Sequence, residues 1–86
     1  MRLISPTGMG RLEDVKFIYT RHVRLRMQQR GLSLNHIEMT VRSPDRVAAS
    51  FKDRHVAQKT IGRRTFEVVY KKLNAHVVLI TAYWLE

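Results

Sequence analysis

The chain contains no cysteine, and that absence excludes several kinds of chemistry at once. Disulfide frameworks, cysteine-bound zinc and thiol catalysis all need thiol groups, and a chain without them is typical of the reducing cytoplasm. A long apolar run is also missing, because the most apolar segment, from Val77 to Leu85, is interrupted by Thr81 and is too short to cross a bilayer. We therefore expect a soluble, cytoplasmic protein without a membrane partner.

Acidic residues are scarce relative to basic ones. Seven Asp and Glu residues stand against sixteen Lys and Arg, which gives a net charge of +9. Eleven of the basic residues are arginine, whose planar guanidinium binds phosphate oxygens in pairs. The stretches 15–37 and 54–66 contain no acid, and each holds a cluster of basic residues. This charge predicts a polyanionic partner, and the alternative is a basic surface that only keeps the protein soluble.

Length and periodicity together predict the architecture. Eighty-six residues suit one domain, which we place at 13–86 after a flexible N-terminal arm at 1–12. Helical spacing predicts a helix at 21–30 and a second helix of about ten residues after Ser33. Runs rich in β-forming residues predict strands at 15–19, 47–51, 56–61, 65–71 and 76–83. Short connections favour hairpins, so we expect an α+β fold with two short helices on one face of an antiparallel sheet of four to five strands.

Motifs for a metal or an organic cofactor are missing from the sequence. The acids are scattered, and the four histidines lack the spacing of metal ligands, so we expect no metal and no cofactor. The chemistry that remains is metal-free RNA cleavage, in which the 2′-hydroxyl of the substrate attacks the neighbouring phosphate. That reaction needs an acid, a base and cations, which His, Lys, Arg and Tyr side chains supply.

The predicted first helix carries one group of candidates. His22, Arg26 and Arg30 are spaced four residues apart and therefore share one side of the helix. His22 is the candidate for proton transfer, Arg26 for holding the phosphate under attack, and Arg30 for binding nucleic acid. The structural alternatives are a histidine that is hydrogen-bonded to the backbone or packed under the sheet, and arginines that form a solvated helix face.

The predicted strands add further candidates. Lys59 occupies the side of its strand that should be apolar, which is typical either of a catalytic cation or of a charge that protects a sheet edge. Tyr70 and Tyr83 are candidates for assisting catalysis, with packing in the core as the alternative. Arginines of the second basic cluster complete the predicted nucleic-acid surface: Arg54, Arg63 and Arg64.

Several of these residues belong to motifs that resemble a known family. The segment from Thr20 to Gly31 fits the pattern T-x-H-x-x-x-R-M-x-x-R-G, and a Pro44-Asp45 turn follows the second predicted helix. From Val15 to Tyr83 the chain resembles a small family of bacterial domains of unknown function. That family is similar in pattern to the RelE/ParE toxin-like superfamily.

The resemblance implies two helices against an antiparallel sheet, and a metal-independent, commonly ribosome-associated ribonuclease that an antitoxin protein neutralises. On the helix it indicates the stripe of His22, Arg26 and Arg30. On the sheet it indicates four nearby positions: Lys59, Tyr70, Thr81 and Tyr83. The leading hypothesis is a toxin-like, metal-independent endoribonuclease that acts on RNA, including ribosome-bound mRNA, and has an antitoxin partner. The alternative is a noncatalytic module of the same fold that binds nucleic acid or protein.

Overall fold

Two helices and five strands follow one another in the order that the sequence predicts. The computed structural model describes residues 15–85, so the expected arm at 1–12 lies outside the described residues. The helices are α1 (Arg21–Arg30) and α2 (Leu34–Arg42). The strands are β1 (Lys16–Tyr19), β2 (Arg46–Ala49), β3 (Arg54–Ile61), β4 (Arg64–Leu73) and β5 (His76–Trp84). Within residues 15–85, neither helix has the length and apolar character needed to cross a membrane.

The ends of both helices are set by local capping residues. The Thr20 hydroxyl accepts a hydrogen bond from the Val23 amide at the start of α1 and donates one to the Leu79 carbonyl of β5 at 2.6 Å. Gly31 ends α1 in the left-handed conformation, with φ of 63°, which glycine adopts without steric cost. Ser33 caps α2 by accepting from two backbone amides. The helix boundaries therefore follow from residues that the sequence shows directly.

The sheet has the strand order β1-β5-β4-β3-β2. Strands β2 to β5 form the expected antiparallel meander. Strand β1 instead pairs in parallel with β5, with Lys16 opposite His76, so the sheet is mixed rather than wholly antiparallel. Between β1 and β5 the chain passes through both helices and three strands, and a connection of that length leaves the strand direction free. The internal position of β5 agrees with its apolar sequence.

One hydrophobic core joins the helices to the sheet. Helix α1 packs against β5, and α2 packs against β4 and β3. Val23, Ile37 and Phe66 are fully buried there, and removing side chains of this size from water stabilises the fold by about 1.5–3 kcal/mol each. Side chains on the other side of the sheet are mostly half-buried. That second face is therefore where polar residues of the strands can meet.

Candidate functional site

A cleft of about 420 Å³ lies where the end of α1 meets the end of β5. Helix α1 and the loop after it form one wall, and the first residue of β4 and the last residues of β5 form the other. The lining side chains are Arg26, Arg30, Leu32, Arg64, Tyr83 and Trp84. We call this feature the arginine cleft. Its volume falls in the range of sites that hold small ligands.

A bulge in β5 determines which of its side chains reach the cleft. Opposite the neighbours Val69 and Tyr70 of β4, strand β5 carries one extra residue, Ile80. Side chains alternate along a regular strand, so without the bulge Leu79 and Tyr83 would share a face. With it, Leu79 is buried in the core and Tyr83 lies on the opposite face of the sheet. The bulge therefore allows Leu79 to lie in the core and Tyr83 to line the cleft.

The arginines of the cleft lack acidic partners. Within residues 15–85, the ion pair present joins Arg42 to Glu38 at 3.8 Å and involves none of them. The Nε atom of Arg26 is shielded from solvent and has no hydrogen-bond partner in that part of the chain. Buried polar groups are normally paired, so an unpaired guanidinium atom beside two further arginines favours an anionic ligand.

A row of hydrogen bonds crosses three strands next to the cleft. The Tyr83 hydroxyl donates to Glu67 Oε2, and Gln58 Nε2 donates to Glu67 Oε1 at 2.7 Å. Glu67 is only 9% exposed, although the sequence suggests nothing more than a polar position on a half-buried strand. Its importance was missed because its partners lie nine and sixteen residues away. The signal available in the sequence was an acid within an otherwise apolar run.

Burial and the same hydrogen bond both oppose the ionisation of Tyr83. Burial, the hydrogen bond to Glu67 and the negative charge of Glu67 raise the pKa of Tyr83 to about 12, against the opposing charge of Arg26. Tyr83 therefore keeps its proton at neutral pH. Arg26 and Tyr83 line the same cleft.

Four of the predicted site residues meet in the cleft. Arg26, Arg30, Arg64 and Tyr83 come from three separate parts of the chain, and the fold brings them together. Trp84 completes the wall. Neither the position of Trp84 nor that of Leu32 was predicted to be part of the site.

His22 lies beside the cleft rather than in it. Its side chain is exposed, so it is not packed under the sheet. It precedes Arg26 by four residues on α1, which places it about 6 Å farther along the helix axis. A ligand that extends from the cleft along α1 would reach it.

Lys59 and Tyr70 do not line the cleft, and the structure gives each a structural role. Lys59 Nζ donates to the Ser43 carbonyl at 2.8 Å, where α2 ends. This bond explains a charge on the apolar side of β3, because helix ends leave carbonyl groups unpaired. Tyr70 is 8% exposed and stacks on His55 with ring centres 5.3 Å apart. Its burial raises the pKa of the phenol.

The two remaining arginine candidates lie at opposite ends of the meander. Arg54 begins β3 and pairs with Lys71, at the end of the sheet away from the cleft. Arg63 follows Gly62, whose φ is 67°, in the turn between β3 and β4, and it is exposed. A second depression is lined by both Arg63 and Arg64. Arg63 thus adjoins the cleft, whereas Arg54 does not.

A wider groove of about 620 Å³ lies elsewhere along α1. Tyr19, Arg24, Met27, Gln28 and Leu34 line it, and its surface is mainly apolar. Such a surface does not suit a phosphate. Within residues 15–85, no three His, Asp or Glu side chains are grouped as metal ligands would be.

Comparison with known proteins gives one result. The sequence pattern of a family described as a domain of unknown function (DUF4258) matches residues 19–84, which include both helices, strands β2 to β5 and every residue of the arginine cleft. No curated protein and no solved structure matches the chain. The expected similarity to the RelE/ParE superfamily is not confirmed by these comparisons. The chain belongs to the family of domains of unknown function DUF4258.

Proposed function

We propose that the arginine cleft binds the phosphate backbone of single-stranded RNA and that the domain cleaves this RNA without a metal ion, as a toxin-like endoribonuclease. The observation that supports this proposal best is the convergence of Arg26, Arg30 and Arg64 on one cleft. No carboxylate within residues 15–85 forms an ion pair with any of the three.

The cleft has the chemistry that single-stranded RNA requires. Guanidinium groups bind phosphate oxygens through paired, charge-assisted hydrogen bonds. Trp84 adds an aromatic surface beside them, and single-stranded nucleic acids are held by aromatic side chains together with a basic groove.

The proposed reaction is transfer of the phosphate to the neighbouring 2′-hydroxyl. The 2′-oxygen forms a bond to phosphorus, the bond from phosphorus to the 5′-oxygen breaks, and a 2′,3′-cyclic phosphate results. The 2′-hydroxyl loses a proton and the departing 5′-oxygen gains one. Arginines stabilise the charge that grows on the phosphate. His22, one helical turn away, acts as general base on the 2′-hydroxyl or as general acid to the 5′-oxygen, and solvent water takes up or supplies the other proton.

A noncatalytic RNA-binding module is the second candidate. The observation that favours it is the position of His22, which does not line the cleft. In that case the arginines bind RNA as proposed, and the bound strand is released intact.

An RNA cleavage assay in EDTA, with and without ribosomes, separates these functions. We expect the purified chain to cut RNA, His22→Ala to bind RNA but cut it at least about tenfold more slowly, and Arg26→Ala both to bind RNA more weakly and to cut it more slowly. Arg24→Ala is the matched control, because it removes an arginine of the same helix that lies outside the cleft. Intact RNA in every sample, with binding retained, supports the noncatalytic module. Equal cleavage by the parent and His22→Ala removes His22 from the mechanism.

The resemblance to toxins also implies partners. We propose a ribosome-bound mRNA as the substrate in the cell and an antitoxin protein that inhibits the domain in the cytoplasm. Copurification of an acidic protein encoded beside this domain, with loss of RNA cleavage in the complex, is the expected result.

A further inference from the structure

The Tyr83 hydroxyl has a fixed direction. An ionised carboxylate has no proton to give, so the hydrogen bond between Tyr83 and Glu67 requires the phenol to donate. Gln58 donates to the other oxygen of the same carboxylate and holds it in place. The hydrogen of the phenol is therefore directed at Glu67, and its oxygen remains as an acceptor at the cleft.

An acceptor at this place limits what the cleft can recognise. The phosphate group of a diester offers only hydrogen-bond acceptors, so it cannot form a hydrogen bond with the Tyr83 oxygen, which is itself an acceptor. Arg26 lines the same cleft, but its Nε atom has no hydrogen-bond partner within the described part of the chain. The natural partner is a hydrogen-bond donor that sits next to a phosphate.

Ribose supplies that donor. The 2′-hydroxyl is adjacent to the phosphate on the 3′-oxygen, it can donate a hydrogen bond, and DNA lacks it. We propose that Tyr83 accepts a hydrogen bond from the 2′-hydroxyl of the bound nucleotide and that Glu67 is the positioning residue that makes Tyr83 an acceptor. The cleft then selects RNA over DNA at the binding step. This inference rests on the proposed function in that it needs a phosphate held by the cleft arginines.

The test compares oligouridylate with oligodeoxyuridylate of equal length, which differ in the 2′-hydroxyl alone. Binding is measured by fluorescence anisotropy of end-labelled strands, with the full chain in the His22→Ala background so that RNA stays intact. We expect RNA to bind roughly threefold to tenfold more tightly than DNA, which is the effect of one net hydrogen bond.

Two variants test the assigned residues. Tyr83→Phe should bind RNA no better than DNA, with its DNA affinity unchanged, because the acceptor is gone. Glu67→Gln should lose the preference for another reason: its amide can donate to the phenol oxygen, which turns the phenol hydrogen toward the cleft. If circular dichroism shows that Glu67→Gln is unfolded, Tyr83→Phe alone decides the question.

Tyr19→Phe is the matched control. Tyr19 also donates to a glutamate, Glu38, but it lies outside the arginine cleft. This variant should keep the full preference for RNA.

The outcomes separate this inference from the proposed function. The inference is overturned if the protein with intact Tyr83 binds RNA and DNA equally well. It is also overturned if Tyr83→Phe keeps the preference for RNA. In both cases the cleavage assay above can still show that the unsubstituted chain cuts RNA. A preference that depends on Tyr83, in a protein that never cuts RNA, supports the inference and overturns the proposed catalysis. Absence of binding to either strand overturns both.

Discussion

The guanidinium carbon of Arg64 lies 4.6 Å from the centre of the Trp84 ring, so a cation of the cleft stacks on a half-buried aromatic side chain that packs against the core. Trp84 also packs edge-on against two other rings. Its ring centre lies 4.8 Å from that of Phe66 and 5.6 Å from that of His36. Phe66 and His36 therefore fix the position of the indole ring, and Arg64 stacks on that ring in the cleft. It is also the sole tryptophan of the chain, which makes its fluorescence a specific reporter of the site.

Arg64→Ala should weaken RNA binding more than Arg63→Ala. The two residues are neighbours in sequence and carry the same charge, but Arg64 lines the cleft and Arg63 does not. We expect a loss of roughly tenfold for Arg64→Ala, from one charge-assisted contact and its stacking on Trp84. Titration of the tryptophan fluorescence with oligouridylate measures both variants. Equal losses would indicate that general positive charge, not the cleft, binds RNA.

Arg26→Ala should change the salt dependence of RNA binding. Removal of one phosphate contact to a single strand lowers the slope of log affinity against log salt by about 0.7. Arg24→Ala, on the same helix but outside the cleft, should leave the slope nearly unchanged. Anisotropy titrations over a range of salt concentrations provide the slopes. The cleft is not the phosphate site if the two variants behave alike.

Thr20→Ala should destabilise the fold more than Ser33→Ala. Both residues cap a helix, but the Thr20 hydroxyl also donates to the Leu79 carbonyl and thereby ties α1 to β5. We expect a loss of about 1–2 kcal/mol for Thr20→Ala and about 0.5–1 kcal/mol for Ser33→Ala in the free energy of unfolding. Urea denaturation measures both. A reversed order would show that the bond to β5 contributes nothing.

High pH should destabilise the native protein partly through Tyr83. Its pKa in the folded state, about 12, is above the ordinary value of 10.0, so the folded state binds this proton more tightly. The resulting stability is present in full below pH 10.0 and is lost as the pH rises through 12. Tyr83→Phe should lack this part of the pH dependence. Urea denaturation at several pH values between these limits, for the parent and the variant, measures the difference.

Lys59→Met should affect stability rather than RNA. The variant loses the hydrogen bond to the Ser43 carbonyl, with an expected cost of about 1 kcal/mol, while the cleft keeps every lining residue. Thermal unfolding and an RNA titration measure the two properties. A large loss of RNA cleavage in a variant that remains folded would return Lys59 to the list of catalytic candidates.

The sequence predicts the local elements well because their signals are local. Thr20, Gly31 and Ser33 define the helix ends within a few residues, and the spacing of Arg26 and Arg30 places both on one side of α1. The parallel pairing of β1 with β5 has no such signal, because its two strands are separated by most of the chain.

The site was only partly predictable for related reasons. The bulge at Ile80 places Tyr83 on the face of the sheet opposite the core. The regular alternation of side chains along a strand does not predict this bulge. Lys59 resembles a functional charge until its partner at the end of α2 is known. Glu67 resembles an ordinary polar strand residue until Gln58 and Tyr83 are brought beside it.

The packing of α1 against β5 also determines when the site can exist. During synthesis, β1 and α1 leave the ribosome first, and β5, which supplies one wall of the cleft, leaves after all the other described strands. Until then the arginines of α1 have no opposing wall and β1 has no neighbour. A nascent chain therefore carries the charges of the site without its shape, and the cleft takes form only once β5 has folded beside α1.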